Sequence, residues 1–569
     1  MPALPTLVHI GAGNIGRGFV APLFTAAGWT VVFIDVNQRL VDEINRRGSF
    51  RVREVDNEGE EIVRVAPVRA IHGADAAAVA AALASADLAS TAVGVGVLSR
   101  LGGVFAAALA QRDRPLDVLV CENGLDAHER LRAAVAAVDP AAAARIGFVR
   151  TSIGRMIPAP SPTAEGVEVD LLDIAVEPYG NLPVERSAFL GAVPAVRGID
   201  GAEDFDLIIR QKLYLHNLTH ACLAYGGARK GYATIPQCAT DARLVASVRS
   251  AGFEAAEALA RAHGRTDVER ARLRRENRDL VEDLLERYGN RRLNDPVARV
   301  GRDPWRKLAP DDRIVGAARL CLAQGVHPTA ILRHLLDACA WQPAADEPQA
   351  ARWRDLQSRG PLAILTAVTS LPASEPLMQQ IRETILDQRR AAAVKALRTA
   401  NVVVTPAEAG AIEIADFGLD RFEQFGLAIL VYVNTERCCA KELVMLPGQI
   451  CPEHRHPPLP NEQGVGEPGK EETFRVRAGE VDLFLPGHKQ GSDEQATALR
   501  HVPADKHTAM TMFKRVHLAP GDQYTLKPNT PHWFVAGSQG AVVSEFSTRS
   551  RDEADIFTDP EIQRVPDAV

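Results

Sequence analysis

Residues 6–19 read TLVHIGAGNIGRGF, and this stretch decides what stands at the front of the chain. An apolar run of strand type leads into Gly11, Gly13 and Gly16 at G-x-G-x-x-G spacing, with Asn14 and Ile15 inside the turn. With 43 glycines in 569 residues, random order yields roughly 0.2 such matches, so the pattern needs its context. The first glycine permits a tight turn, the second lets a pyrophosphate approach the backbone, and the third lets the following helix pack on the strand. Phosphate oxygens would then meet helical N–H groups. A glycine turn in a sheet protein without cofactor is the alternative. Asp35 closes VVFID nineteen residues after Gly16. A carboxylate there accepts hydrogen bonds from ribose hydroxyls and repels a 2′-phosphate, so NAD is expected over NADP.

Outward from this turn, apolar runs (TVVFID, LASTAVG, LDVLVCEN) alternate with Ala/Leu-rich helical stretches as far as residue 155. That alternation implies βαβ units and a parallel sheet. An α/β Rossmann domain is assigned to residues 1–195. TAVG (91–94) and CENG (121–124) end later strands, where ligand-contacting loops sit in such sheets, although a plain structural turn explains TAVG equally well. Helical periodicity dominates from about residue 205 to 390, giving a mostly α-helical second domain, residues 196–386. Beyond it, short apolar strands are punctuated by Pro, Gly and Asn, and an all-β barrel is assigned to residues 387–569. The joint LDQRRAAAVKALRTA (386–400) reads as a basic helix rather than a flexible tether.

A chain of 569 residues exceeds what one hydrophobic core supports, which agrees with several domains. Hydrophobic residues make up 46%, charged residues 24%, and the formal net charge is -7. That balance argues against disorder and against attraction to nucleic acid or anionic membrane, and leaves small or phosphorylated solutes as partners. No basic flank with a cleavable apolar core opens the sequence, and no apolar run is long enough to span a bilayer, so a cytoplasmic location is expected. Composition leaves subunit number open, a homodimer included. The eight cysteines show no C-x-x-C spacing that would frame a zinc or redox site. Adjacent Cys438 and Cys439 would point to opposite faces of a strand and are not expected to bridge.

The segment KLYLHNLTH places Lys212, Asn217 and His220 on one helix. At α-helical pitch Lys212 and His220 lie about 80° apart, with Asn217 about 60° to 140° from each, so all three can border one cleft. Ordinary surface polars fit the spacing as well, and His216 would pair with Lys212 equally. Downstream, RVGRDPWRKL carries Arg299, Arg302, Arg306 and Lys307. These cations could neutralise a substrate phosphate, or form a structural ion-pair cluster with Asp303, Asp311 and Asp312.

HIGAGNIGRGF, DVNQ, TAVG, CENG, K-x4-N-x2-H and RVGRDPWRKLAPDDRI together resemble, in order, the polyol-specific long-chain dehydrogenases, mannitol-1-phosphate 5-dehydrogenases in particular. The resemblance covers residues 6–385. It implies NAD-linked oxidation of a polyol carbon with Lys212 as general base, which requires desolvation or nearby positive charge to lower the pKa of the amine. Asn217 and Asn123 would hold the developing alkoxide, and His220 would orient substrate or lysine.

Far along the chain, CPEHRHPP sets His454 and His456 two residues apart on a probable-strand pattern, so both imidazoles can face one ion. With GKEETFRVRAGEV and the turn PNTPHW they resemble the two metal-binding motifs of the cupin barrel. That resemblance implies His454, His456, Glu472 and His532 as ligands of a divalent metal, Mn first, with Fe or Zn as alternatives. The gap between His456 and the carboxylate is longer than in generic cupins, leaving Glu471 beside Glu472. Asn529 replaces the usual turn glycine, and Asn tolerates the left-handed conformation required there. IEIADFGL, VYVNTERCCAKELV and VVSEFSTRSRDEADIFTDP extend the resemblance to the D-lyxose isomerase cupins. The resemblance implies aldose–ketose isomerisation, with Glu545 and Lys470 as proton-handling residues, a solvated loop lysine being the other reading of Lys470.

Read together, the modules describe a bifunctional sugar enzyme, a polyol dehydrogenase with a ketol-isomerase, the two meeting at a ketose. Phosphorylated and free substrates both remain open: mannitol 1-phosphate, mannitol or D-arabinitol for the first, D-lyxose/D-xylulose or D-mannose/D-fructose types for the second. The rival is a polyol or hexuronate dehydrogenase whose cupin only binds metal or sugar, or dimerises.

Overall fold

The computed structural model describes residues 4–124, 126–157, 170–460, 466–487, 491 and 493–564. The chain divides into two compact units, residues 1–341 and 342–569.

In the first unit, six strands form a parallel sheet: β1 (Thr6–Ile10), β2 (Thr30–Asp35), β3 (Val68–His72), β4 (Leu88–Thr91), β5 (Leu116–Val120) and β6 (Ile146–Arg150). Their order is β3-β2-β1-β4-β5-β6, so the winding reverses between β1 and β4, which places a crevice at the strands' carboxyl ends. Successive residues take opposite faces: Leu7, Val31 and Phe33 join one buried cluster, Val8, Val32 and Ile34 the other. Burial on both sides is why these strands read as unbroken apolar runs. A hairpin, Phe50–Val55 with Glu60–Val65, forms a side sheet with Ala175–Val176.

A parallel pair, Leu182–Glu185 with Ile199–Ala202, leads into the helices that make up most of the rest of this unit. Asp204 caps the first by accepting from Leu207 N, and the segments Phe205–Gln211, Lys212–Asn217 and Leu218–Ala228 follow one another. The middle segment is a π turn rather than α-helix. The angles expected for an ideal α-helix therefore do not apply across Lys212–Asn217, and such turns gather at functional sites. Ala242–His263 and Asp267–Tyr288 pack beside it, the second opened by a capping box between Thr266 and Glu269.

In the second unit the helix Pro376–Thr399 runs unbroken through position 386, where the sequence reading set the edge of the barrel domain. Its Ala393 and Leu397 pack on Ile414, Leu430, Val444 and Val542 of the sheet. That nine-stranded antiparallel sheet comprises β7 (Glu413–Ala415), β8 (Leu427–Asn434), β9 (Cys439–Met445), β10 (Ile450–Arg455), β11 (Glu472–Leu485), β12 (Lys514–Leu518), β13 (Gln523–Leu526), β14 (His532–Ser547) and β15 (Ile556–Phe557). The order is β7-β8-β9-β14-β10-β15, with β11 pairing β12, β13 and β14. The two longest strands, β11 and β14, lose register near Gly479. There Gly479 and Gly540 both take positive φ, and a Cβ on Gly479 would fall 1.9 Å from Gly540 O, so only glycine allows the curl. Curling brings Leu427, Leu443, Phe474, Val476, Phe534 and Val543 into one interior. All eight cysteines are free thiols.

Two candidate active sites

The glycine turn shows why its spacing is needed. Gly11 has φ +103°, and a Cβ there would lie 2.4 Å from Ala92 O. A Cβ on Gly16 would meet Gly11 O and His9 Nε2, each at 2.5 Å. Gly13 differs, because nothing in the protein lies within 4 Å of its missing Cβ. The fold does not require glycine there, whereas a pyrophosphate lying on the backbone would. Asn14 and Ile15 open the helix that follows. Asp35 ends β2 with Oδ2 accepting from Ala12 N (2.7 Å) and Oδ1 from Asn37 N (2.9 Å), so its carboxylate also ties down the turn. Glu122 fixes the TAVG loop in the same way, accepting from Val93 N and Gly94 N.

The CENG loop brings Asn123 from the end of β5 to the π turn, where Lys212 Nζ donates to Asn123 Oδ1 at 2.9 Å. Burial, and then the nearby Arg313 guanidinium, pull the lysine down to about 8. His220 sits on the same helix but serves a different set of groups. Its Nε2 stands 3.2 Å from Asp295 Oδ2 without hydrogen-bond alignment, and its ring stacks on Tyr288 with centroids 4.8 Å apart. Tyr288 in turn donates to His216 O. His216 is held neutral, first by desolvation and then by the positive charge of Arg287 and by His220. Asn217 is half-buried, with no side-chain hydrogen bond among the described residues.

The four downstream cations do not act as one group. Arg299 makes a two-pronged contact with Asp295 (2.6 and 2.7 Å). Arg306 pairs with Asp303 at 2.9 Å and Asp312 at 3.4 Å. Lys307 is buried and donates to the carbonyls of Val300 and Arg302, and burial followed by Arg313 and Arg306 pulls it down to about 7. For Lys307 a phosphate contact is therefore corrected to a structural role: an interior amine spent on two carbonyls does not reach substrate. Arg302 is exposed. Sequence reasoning missed Arg313, which sits against Asp312 (2.8 Å) and sends its field toward Lys212. It follows Asp311 and Asp312 in PDDRI, a spacing that carries no signal for a role beside Lys212.

The barrel site is assembled from three strand positions and one residue just past a strand end. His454 on β10 and His532 on β14 are register partners, and His456 follows just beyond β10. One ligand atom from each of these buried histidines falls within 4.8 Å of the others. Every Nδ1 is spoken for: His454 on Pro452 O (2.8 Å), His532 on Thr530 O (3.0 Å), His456 on Asp555 Oδ1 (2.5 Å). A carbonyl can only accept, so His454 and His532 carry the proton on Nδ1 and present a bare Nε2. Glu472 Oε1 lies 3.0 Å from His456 Nε2 and 3.1 Å from His532 Nε2. Three imidazoles and one carboxylate converging this way suit a divalent transition ion. Glu472 is buried and Glu471 exposed, which decides between the two carboxylates. Asn529 takes φ +59°, as its place in the turn requires.

Beside this cluster, Lys470 Nζ bridges Glu472 Oε2 (2.7 Å) and Glu545 Oε1 (2.9 Å). Burial works against its charge, yet Glu472, Glu545 and Asp552 outweigh burial and hold the ammonium well above its usual range. Lys470 is buried, so the solvated-loop reading fails. Four groups escaped the sequence reading: Lys441, opposite Glu545 at 3.6 Å and bonded to Asp552 at 2.8 Å, then Asp552, Asp555 and Arg564. Lys441 left one trace, a lysine beside Glu442 inside the buried strand β9.

Fold and site geometry define a two-module enzyme, a dinucleotide-binding unit followed by a metal-type barrel. Family comparison agrees: the mannitol dehydrogenase Rossmann domain matches residues 5–198, the mannitol dehydrogenase C-terminal domain 204–360, and D-lyxose isomerase 395–568. The chain belongs to the mannitol dehydrogenase family in its first part and to the D-lyxose isomerase family in its last, and it is an oxidoreductase joined to an isomerase. A mannitol-1-phosphate 5-dehydrogenase of Brevibacillus brevis is 37% identical over 385 residues, 66% of this chain and 96% of that protein. A D-lyxose/D-mannose isomerase of Thermosediminibacter oceani is 52% identical over 173 residues, 30% of this chain and 90% of that protein. The structure of Pseudomonas fluorescens mannitol 2-dehydrogenase, in a ternary complex with NAD and D-mannitol, aligns with TM-score 0.52. At 17% identity, covering 70% of this chain and 94% of that one, it attests the fold. No helix among the described residues is long and apolar enough to cross a membrane.

Proposed function

We propose that the first unit oxidises mannitol 1-phosphate, or a closely related polyol, to a 2-ketose with NAD, and that the barrel interconverts a ketose and an aldose with a divalent metal. The observation that carries the first half is the Lys212–Asn123 pair: an amine brought to about 8, held by a neutral amide rather than a carboxylate. A lysine so placed is neutral often enough to accept a hydroxyl proton near physiological pH. NAD, when bound, supplies the acceptor for the hydride leaving the same carbon. Asn123 aims the amine, Asn217 offers its unused amide N–H to the oxygen as negative charge gathers there, and His220, stacked on Tyr288 and facing Asp295, orients the substrate or the lysine. Asp35 favours NAD because its carboxylate opposes a 2′-phosphate.

In the barrel, His454, His456, His532 and Glu472 would hold the ion, Mn first among candidates, and it supplies Lewis acidity toward adjacent sugar oxygens. Glu545, pinned by Lys470 and Lys441, is the carboxylate that moves a proton between neighbouring carbons. Lys470, kept charged by its partners, balances negative charge on the sugar oxygens rather than acting as base. NAD reduction over mannitol 1-phosphate, mannitol and arabinitol, followed by sugar analysis with added Mn, tests both halves. Mannitol 1-phosphate should be the best reductant and an aldose should appear only with metal. A chain that reduces NAD yet forms no aldose with any ketose would reject the second half.

A further inference from the structure

Asp295 and Arg299 stand at i, i+4 spacing, yet they are not an ordinary surface pair. The arginine keeps 44% of its side chain exposed and the aspartate 7%. The backbone delivers that carboxylate inward. Asn294 takes φ +46° just before it, Ile235 N donates to Asp295 O at 2.8 Å, and Thr234 bridges to Pro296 just after it. Arg299 meets both carboxylate oxygens, at 2.6 and 2.7 Å, and Oδ2 also faces His220 Nε2 at 3.2 Å. The imidazole lies flat on Tyr288, whose hydroxyl is tied to Thr219 at 2.9 Å and to His216 O. A carboxylate withdrawn from water costs free energy unless it is paired, and part of this pairing is aimed at one ring nitrogen.

Lone pairs facing each other across that distance repel, so the ring turns an N–H toward Asp295 rather than a bare nitrogen. Burial holds His220 below its usual range against the pull of Asp295, with Arg299 and Lys307 adding to the effect, so the ring is neutral near pH 7 and has one proton to place. Burial raises the Asp295 carboxyl, but His220 and Arg299 outweigh it and keep the group ionised. With the proton on Nε2, Nδ1 is an acceptor, and among the described residues it makes no hydrogen bond. We propose that Asp295, steadied by Arg299, is a positioning residue for polyol oxidation: it fixes the proton of His220 on Nε2, so that Nδ1 accepts a hydrogen bond from a substrate hydroxyl beside the carbon being oxidised. Arg299 then serves the site through Asp295, without touching a phosphate. This inference rests on the dehydrogenase reading above and deepens it.

The test uses the full-length chain with NAD and mannitol 1-phosphate. Asp295→Asn keeps the size of the side chain, but an amide accepts either tautomer of the ring. Its kcat should fall about 10²-fold, with NADH affinity held within about twofold and Asp295→Glu recovering part of the loss. Because Asp295 acts through His220, adding Asp295→Asn to His220→Ala should cost no more than about threefold beyond His220→Ala alone. Losses that multiply in the double variant would overturn the inference. Imidazole ¹⁵N signals, with His220 identified by its absence from His220→Ala, read the tautomer without turnover: the wild type should carry the proton on Nε2 and Asp295→Asn should lose that preference. A wild-type ring protonated on Nδ1 would overturn the inference while leaving the dehydrogenase standing. Should Asp295→Asn not fold, the wild-type signals and Asp295→Glu, alone and with His220→Ala, decide in its place. A wild type that reduces NAD with no polyol would remove the dehydrogenase reading and this inference with it.

Discussion

Lys212 and Lys470 are both lysines withdrawn from water, and the protein treats them in opposite ways. Around Lys212 the partner is a neutral amide and the nearest charge, Arg313, is positive, so desolvation is reinforced and the amine falls to about 8. Around Lys470 stand Glu472 and Glu545 at 2.7 and 2.9 Å, with Asp552 beyond, so burial is overruled and the ammonium persists. Lys307 is a third case, caged by the carbonyls of Val300 and Arg302 yet flanked by arginines, and it falls to about 7. Burial alone does not make a lysine a base. What it becomes depends on which charges share its burial, and whether it serves chemistry depends on what it can reach.

Four experiments press on that contrast. The largest effect should come from the metal. Chelation, or His532→Ala, is expected to lower aldose–ketose isomerisation by about 10³-fold or more, because the proposed ion would supply the polarisation of the sugar oxygens, while NAD reduction stays within twofold. Loss of both activities together would break the separation of the two sites. Next, Lys212→Met should depress polyol oxidation about 10²- to 10⁴-fold, the usual worth of a positioned base, with isomerisation retained. A smaller effect is expected from Asp555→Asn, which weakens the hold on His456 Nδ1. Metal titration should show affinity reduced about 10- to 100-fold, with excess metal restoring turnover.

The smallest effect is a displacement along the pH axis. With Lys212 as the proposed base, kcat/KM for oxidation should climb as pH rises through about 8 and level off above it, while ketose reduction, which would draw on the ammonium, should fall over the same interval. Arg313→Gln removes a positive neighbour that disfavours the ammonium. The pKa should then rise, carrying the limb of the profile upward by up to about one pH unit. A limb that stays in place would show that Arg313 does not tune the base.

Much of both sites could be read along the chain because their signals are local. Gly11, Gly13 and Gly16 answer to one turn, His454 and His456 to the alternation of one strand, and Asn529 to one left-handed position. Both family resemblances hold. Other features could not be read that way. The π turn through Lys212–Asn217 leaves no mark in residue spacing, and an α-helical count misjudges the angle between the two side chains. Arg299 looked available for a phosphate until Asp295 was found against it, and Lys307 until its carbonyl cage appeared. Glu545, Asp552 and Asp555 lie far apart in the chain from Lys470, yet they help to hold its charge.

By itself, then, the order of residues determined the two modules, their families and the residue types able to carry each reaction, because periodicity, turn chemistry and short motifs act over a few neighbours. Only the tertiary structure decided which cations are spent on carboxylates, and which buried lysine is pulled toward neutrality and which keeps its charge. Those are questions of electrostatics between groups separated by tens or hundreds of residues, and they have no answer until folding sets the distances and removes the water.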